Sequence, residues 1–183
     1  MCIRDTYKSN FVAGNSEWVV MEADEFDRSF LHLNPDIAII TSMDADHLDI
    51  YGHHDEMQDT YLKFVSQVSE LLLYEQELPI DTKVLKAKAS SYGLTKNAAY
   101  NSTRIRAYAP NFVFDWGDKD NHVLWDDLSF TLPGRHNVSN ATAAIAVAKY
   151  LGCKEEKIRQ ALRTFKGVWR RFEWVYTSPE AVY

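Results

Sequence analysis

The chain has 183 residues, of which 46% are hydrophobic, 25% charged and 13% aromatic, and its net charge at neutral pH is −6. This length and composition fit one well-buried globular domain and argue against disorder. The acidic balance disfavours a nucleic-acid surface, and no apolar run approaches the roughly 20 residues that cross a bilayer, so neither nucleic acid nor a membrane is an expected partner. The two cysteines, Cys2 and Cys153, form no disulfide or zinc motif, and we expect a reducing, cytoplasmic location.

Two short apolar runs in the first third of the chain each lead into polar residues. Residues 18–21 end at Glu22, and residues 37–40 are followed a few positions later by His47. Unbroken apolar runs of this length predict strands buried on both faces, as in a parallel sheet covered by helices. Ligands of such sheets gather beyond the carboxyl ends of the strands, so Glu22 and His47 are predicted to face one crevice and to hold a divalent cation there.

The remaining elements follow in order along the chain. Residues 28–33 form a short crossover before the second strand, and Asp55 is the predicted N-cap of a helix that reaches Val68. Residues 71–74 predict another buried strand.

The middle of the chain, residues 86–133, is predicted to be rich in β-strands, with a hairpin between Val113 and Trp125 around the turn at residues 118–121. Two helices follow. The first, residues 137–151, ends at Gly152, and the second covers residues 154–165. The predicted fold class is α/β, a mostly parallel sheet flanked by helices with a β-rich insertion.

The candidate site residues have plain structural alternatives. Glu22 heads a run of four acids that a cation would relieve, although a lone strand-end glutamate is usually just solvated. His47 lies between aspartates that can orient a ligand imidazole, yet such a histidine is more often structural. Asn137 and Asn140, one helical turn apart, suit the edge of an adenine or simply a helix cap. Arg171 fits a phosphate clamp or a stack between tryptophans.

Taken in order, several of these segments resemble the central ATPase domain of the Mur ligases. The resemblance covers most of the chain from Tyr7 to Tyr183. It rests on the segments VMEADEFDRSFL at residues 20–31, NPDIAII at 34–40, DHLDIYG at 46–52, LPGRHNVSNA at 132–141 and RRFE at 170–173.

The resemblance implies a reaction, its cofactors and the roles of individual residues. Members of the family form an amide bond with ATP through an acyl phosphate, and the pattern here is most similar to the member that joins L-alanine to UDP-N-acetylmuramate. Glu22 and His47 match the family's Mg²⁺ ligands. The adenine-side motif is matched by His136, Asn137 and Asn140, and Arg171 matches an arginine that reaches ATP. Glu22, His47 and Arg171 together form the implied catalytic set.

The departures from the family pattern set further expectations. No glycine-rich phosphate loop occurs in the chain, so we expect the isolated chain to bind triphosphate poorly and to be inactive alone. We expect residues 1–178 to form an N-terminally truncated central domain and residues 179–183 to begin a C-terminal domain. The missing segment would leave a sheet edge open to self-association. Two alternatives remain: another ligase of the superfamily, acting on a UDP-MurNAc-peptide or on folate, and a non-catalytic interaction module.

Overall fold

The computed structural model describes residues 11–24, 28–43, 54–108, 111–119 and 123–167, and of residues 54–56 only the helical backbone. Of the predicted site residues, the structure therefore describes Glu22, His136, Asn137 and Asn140. His47 and Arg171 lie outside the described residues, as do the head of the chain and the turn residues 120–122.

One six-stranded sheet in the strand order β1 to β6 organises the described residues. Strands β1 to β4 pair in parallel, and β4, β5 and β6 pair antiparallel. The strands span Ile37–Ile40 (β1), Leu71–Glu75 (β2), Lys88–Gly93 (β3), Tyr100–Tyr108 (β4), Asn111–Asp118 (β5) and Trp125–Phe130 (β6). The prediction of a mostly parallel sheet joined to a β-rich section is confirmed.

Helices cover the sheet on both faces. They span His54–Ser66 (α1), Arg135–Tyr150 (α2) and Glu155–Thr164 (α3), with single turns of 3₁₀ helix at Ser29–His32 and Thr82–Val84. Among the described residues no helix is long and apolar enough to cross a membrane.

The alternation of side chains along β2 builds two separate cores. Leu72 points into the layer that contains α1, where it joins Phe30, Phe64 and Val65. The flanking leucines, Leu71 and Leu73, point the other way, into the larger core beneath α2 and α3. Because successive strand residues face opposite sides, one unbroken leucine run can serve both layers, as the sequence predicted for this strand.

The end of α2 follows the chemistry that the sequence indicates. Gly152 has a φ of 77°, a left-handed conformation that glycine adopts without a Cβ clash. Its N–H donates to the carbonyl of Lys149 at 3.0 Å, and the N–H of Cys153 donates to that of Ala148 at 2.9 Å. These bonds satisfy carbonyls that the helix end would otherwise leave unpaired.

Three of the predicted details are wrong. Residues 18–21 are not a strand, and Val19 and Val20 are 77% and 86% exposed. A strand needs a neighbouring ladder for its peptide groups, and none of the described residues provides one here. Strand β1 is not buried on both faces, because Ile39 is 39% exposed. Asp55 lies inside α1, which begins at His54, and is not its N-cap.

Candidate active site

The direction of α2 relative to the parallel strands determines where the adenine-side residues lie. The hydroxyl of Tyr150, at the end of α2, donates to Glu70 Oε2 at 3.4 Å. Glu70 immediately precedes β2, so the helix ends at the amino edge of the parallel strands. The start of α2 therefore lies toward the opposite, carboxyl edge, where ligands of such sheets bind.

Two buried hydroxyls fix α2 on the sheet. Thr142 Oγ1 is 2.8 Å from the carbonyl of Val138 and 2.6 Å from Ser102 Oγ. The carbonyl can only accept, so Thr142 donates to it and Ser102 donates to Thr142. Trp116 Nε1 adds a 3.2 Å bond to the carbonyl of Thr142. All three side chains are fully buried, and they set the height of the helix start above the strands.

The start of α2 has a local geometry that depends on Gly134. This residue has a φ of 99°, and a Cβ placed on it would lie 2.6 Å from His136 Cε1. The missing side chain lets the imidazole fold back against the backbone. Asn137 Nδ2 donates to the carbonyl of Pro133 at 2.6 Å. His136 and Asn140 are exposed, and Asn137 is half-buried. The structure thus brings the three adenine-side candidates together on one helix start.

A cavity of about 360 Å³ opens at the carboxyl ends of β1 and β2. Its polar lining comes from three elements: Thr41 and Ser42 follow β1, Glu75 and Glu77 lie at and beyond the end of β2, and Gln58 comes from α1. The apolar wall is formed by Met43, Leu78 and Pro79. Carboxylates, hydroxyls and a carboxamide around one opening suit a cationic or hydroxyl-rich ligand group.

The tyrosine beside this cavity is held neutral. Tyr92 pairs with Glu75 across β3 and β2, is 1% exposed, and donates its hydroxyl to the carbonyl of Ile40 at 3.4 Å. Burial, with a smaller contribution from the charge on Glu75, raises the pKa of Tyr92 well above its usual value. This phenol is therefore a structural donor and not an acid or base near neutral pH.

Glu22 does not follow a strand, because residues 18–21 form none, but the two residues after it are held by hydrogen bonds and packing. Two residues further on, the carbonyl of Asp24 accepts from the N–H of Phe30 at 3.2 Å and from Ser29 Oγ at 3.1 Å, and Ala23 packs against the core of the α1 layer. Glu22 itself is exposed and is not among the residues that line the cavity. Its predicted convergence with His47 is not tested, since His47 lies outside the described residues.

Sequence reasoning missed Glu75, Glu77 and Gln58. The first two could have been found, because Glu75 follows an apolar run just as Glu22 does, and the same rule about strand ends applies to it. Gln58 gives no such signal, because only the packing of α1 brings it to the cavity.

The described side chains can be checked for the groups that would bind Mg²⁺ and a nucleotide. Among the described residues, no group of three or more His, Cys, Asp or Glu side chains is arranged to hold a metal. Mg²⁺ does not need one, since it characteristically takes one or two carboxylates and completes its shell with water and phosphate oxygens. The exposed carboxylate of Glu22 and the amide and imidazole groups at the start of α2 have the chemistry that such a ligand requires.

Comparison with known proteins gives the class to which this fold corresponds. The Mur ligase middle domain family matches residues 6–148, and the chain belongs to that family. It is 40% identical over 183 residues to the UDP-N-acetylmuramate–L-alanine ligase of Flavobacterium johnsoniae, covering 99% of this chain and 39% of the relative. The chain therefore spans about two-fifths of the length of the curated relatives that it matches.

Solved structures agree with this membership. The crystal structure of the UDP-N-acetylmuramate–alanine ligase MurC of Thermotoga maritima superimposes with a TM-score of 0.72 at 27% identity, over 86% of this chain and 35% of that one. The MurF ligase of Thermotoga maritima, solved in complex with ADP, matches with a TM-score of 0.60 at 16% identity, over 76% of this chain and 33% of that one. The second likeness shows the fold alone.

Proposed function

We propose that this chain is the nucleotide-binding middle portion of a cytoplasmic enzyme that joins L-alanine to UDP-N-acetylmuramate with ATP and Mg²⁺. The observation that carries the proposal is the 40% identity, across 99% of the chain, to a relative with that name. ATP supplies the phosphoryl group that activates the carboxylate of the sugar nucleotide. Neither a nucleic acid nor a membrane has a part in this activity.

The metal is assigned to Glu22 and His47, and the nucleotide to Arg171 and the start of α2. Glu22 is exposed, so its carboxylate can take a hydrated cation without first leaving a protein partner in a core. His47 provides an imidazole donor between two aspartates, and Arg171 provides a planar fork that matches phosphate oxygens. These assignments rest on the family motifs.

The start of α2 has distinct tasks for its two asparagines. Asn137 donates its Nδ2 to the carbonyl of Pro133, so its carbonyl oxygen is the group left to accept from an exocyclic amine. Asn140 is exposed one turn later and can both donate and accept. Such a pair reads the edge of an adenine. The imidazole of His136, folded back over Gly134, supplies a flat surface beside it.

A chimera tests the activity. The 183 residues of this chain replace the matching residues of the Flavobacterium johnsoniae ligase, and phosphate release is measured with UDP-N-acetylmuramate and a panel of amino acids. We expect release that depends on both substrates and prefers L-alanine. Glu22→Gln should lower kcat by at least about 100-fold, because a removed charge-stabilising group at a phosphoryl-transfer site costs about that much. Asn140→Ala should instead raise the KM for ATP.

The matched control is Asn97→Ala, another exposed asparagine, in the turn between β3 and β4, which should leave both constants unchanged. A folded chimera that prefers glutamate or a peptide would assign the chain to another ligase of the superfamily. A folded chimera with no phosphate release on any substrate would refute the enzymatic reading and leave an interaction module.

A further inference from the structure

One cross-strand pair in the antiparallel section holds a single residue of α2 from two sides. Ser102 on β4 lies directly opposite Trp116 on β5. Ser102 Oγ is 2.6 Å from Thr142 Oγ1, and Trp116 Nε1 donates to the carbonyl of Thr142 at 3.2 Å. The ring of Trp116 is itself stacked between Tyr100 and Trp125, at centroid distances of 5.8 and 5.0 Å. The pair is therefore a fixed support for this point of the helix.

The hydroxyl of Thr142 passes this contact on to the first turn of α2. Thr142 Oγ1 donates to the carbonyl of Val138 at 2.8 Å, so Ser102 Oγ donates to Thr142. A threonine hydroxyl that bonds to the carbonyl four residues earlier competes with the helical N–H for that carbonyl and often bends the helix. The chain of hydroxyls from β4 therefore ends on a peptide group that lies between the two adenine-side asparagines, Asn137 and Asn140.

Burial makes this chain of hydrogen bonds difficult to replace. Ser102, Thr142 and Val138 are fully buried, so water does not readily take the place of a lost hydroxyl, and the group left behind is unsatisfied unless the helix moves. The asparagines are on a more open side of the same turn, where Asn140 is exposed and Asn137 is half-buried. Their carboxamides move with the helix backbone, and the buried hydroxyls hold that backbone to the sheet.

From these contacts we propose that Ser102 and Thr142 are positioning residues for the nucleotide, and that they maintain its preference for adenine by setting Asn137 and Asn140 against the edge of the base. The inference rests on the proposed function, because it takes ATP as the ligand of this helix start. A hydrogen bond is strong only between about 2.7 and 3.2 Å, and a binding group has to be held to within about 0.5 Å. Without the hydroxyl chain, recognition of the base weakens while phosphoryl transfer continues.

The chimera with the Flavobacterium johnsoniae ligase tests this inference when phosphate release is measured with ATP and with inosine triphosphate. The base of inosine triphosphate has a 6-oxo group in place of the exocyclic amine, so it lacks the donor that Asn137 accepts from and loses less when Asn137 moves. In Thr142→Val the KM for ATP should rise by about 3- to 10-fold, as expected for one weakened hydrogen bond, while kcat stays within about twofold of the parent. The ratio of kcat/KM for ATP to kcat/KM for inosine triphosphate should fall by a similar factor.

Three more variants separate positioning from a general loss of stability. Ser102→Ala removes the donor on β4 and should lower the same ratio by at least about twofold. Thr142→Ser keeps the hydroxyl chain and should keep the parent's ratio. The matched control is Ser91→Ala on β3, which removes a hydroxyl that accepts from the N–H of Ala99 at 3.1 Å. It should cost stability but leave the ratio unchanged, because both nucleotides are measured on the same sample and the amount of folded enzyme cancels.

The outcomes distinguish this inference from the proposed function. An active parent chimera whose Thr142→Val and Ser102→Ala variants keep its nucleotide ratio would overturn the inference and leave the proposed function standing. A parent that uses the two nucleotides equally well would also overturn it, and so would an equal fall of the ratio in Ser91→Ala. A parent that releases no phosphate with any substrate would refute the proposed function, and the inference with it. If Thr142→Val loses its native circular dichroism, Ser102→Ala decides.

Discussion

The buried carboxylate of Asp115 should dominate the stability of the antiparallel part of the sheet. Its side chain is fully buried, forms a hydrogen bond and ion pair with Arg104 Nε, and lies 3.7 Å from Arg106 Nη2. It also accepts from the backbone N–H of Asp127 at 3.1 Å. Arg104 and Asp127 have φ angles of 47° and 48°, a left-handed conformation that costs free energy outside glycine. One carboxylate on β5 therefore holds two strained positions, one on each of the strands β4 and β6 that flank it.

The magnitude follows from the groups that lose a partner. In Asp115→Asn the charge is removed but an acceptor remains, so the N–H of Asp127 can stay bonded. In Asp115→Ala that partly buried N–H also loses its acceptor, which costs about 1–3 kcal/mol. Arg104 is 62% exposed and regains water, so its ion pair adds little to the sum. We expect losses of about 1–2 kcal/mol for Asp115→Asn and about 2–4 kcal/mol for Asp115→Ala.

Urea unfolding at pH 7, followed by circular dichroism, measures these losses as shifts in midpoint at constant slope. The control is Asp126→Asn, whose carboxylate is 72% exposed and lies 3.8 Å from Arg159, and which should change stability by less than about 1 kcal/mol. If Asp115→Ala proved as stable as this control, the burial and bonding argument for Asp115 would be refuted.

Three further predictions concern pH, the helix anchor and the helix start. Burial raises the pKa of Asp115, but bonds from Arg104 and the backbone N–H of Asp127 and the charges of Arg104 and Arg106 outweigh it, so the net pKa is lowered. A depressed folded pKa gives stability that is present above the unfolded value of about 3.9 and is lost as pH falls through the folded value. Acid titration monitored by circular dichroism should therefore show a loss below about pH 4 that Asp115→Asn largely removes. Thr142→Val should cost about 1–3 kcal/mol in urea unfolding, because it leaves the buried Ser102 hydroxyl without its acceptor. Gly134→Ala should displace the His136 ring and cost about 1–2 kcal/mol, since an alanine is strained at this φ and clashes with the imidazole, and the His136 NMR signals should shift.

Internal controls accompany these variants. Thr142→Ser keeps the hydroxyl and should retain most of the stability that Thr142→Val loses, whereas a Thr142→Val variant as stable as the parent would contradict the bonding scheme. Gly14→Ala meets no atom within 4 Å and should be silent. An unchanged His136 signal in Gly134→Ala would show that the ring does not depend on the missing Cβ.

The sequence was enough to predict much of the regular secondary structure. The leucine run at β2 and the helix that ends at Gly152 are both confirmed, because strand burial, helical periodicity and the glycine C-cap depend on residues close together in the chain. The motif around Asn137 likewise placed the adenine-side candidates on one helix start. Family membership followed from several such local motifs in one order.

Contacts between distant segments decided the rest. Residues 18–21 have the composition of a strand, but a strand also needs a ladder partner, and composition cannot supply one. Gln58 lines the same cavity as Glu75 and Glu77 only because folding brings α1 close to the residues that follow β1 and β2. In the sequence, nothing distinguishes Asp115 from the other acids of the β-rich section. Only folding places two arginines and a backbone N–H around it. Local pattern fixes which segments can form elements, but edges, cavities and buried charges depend on which elements become neighbours.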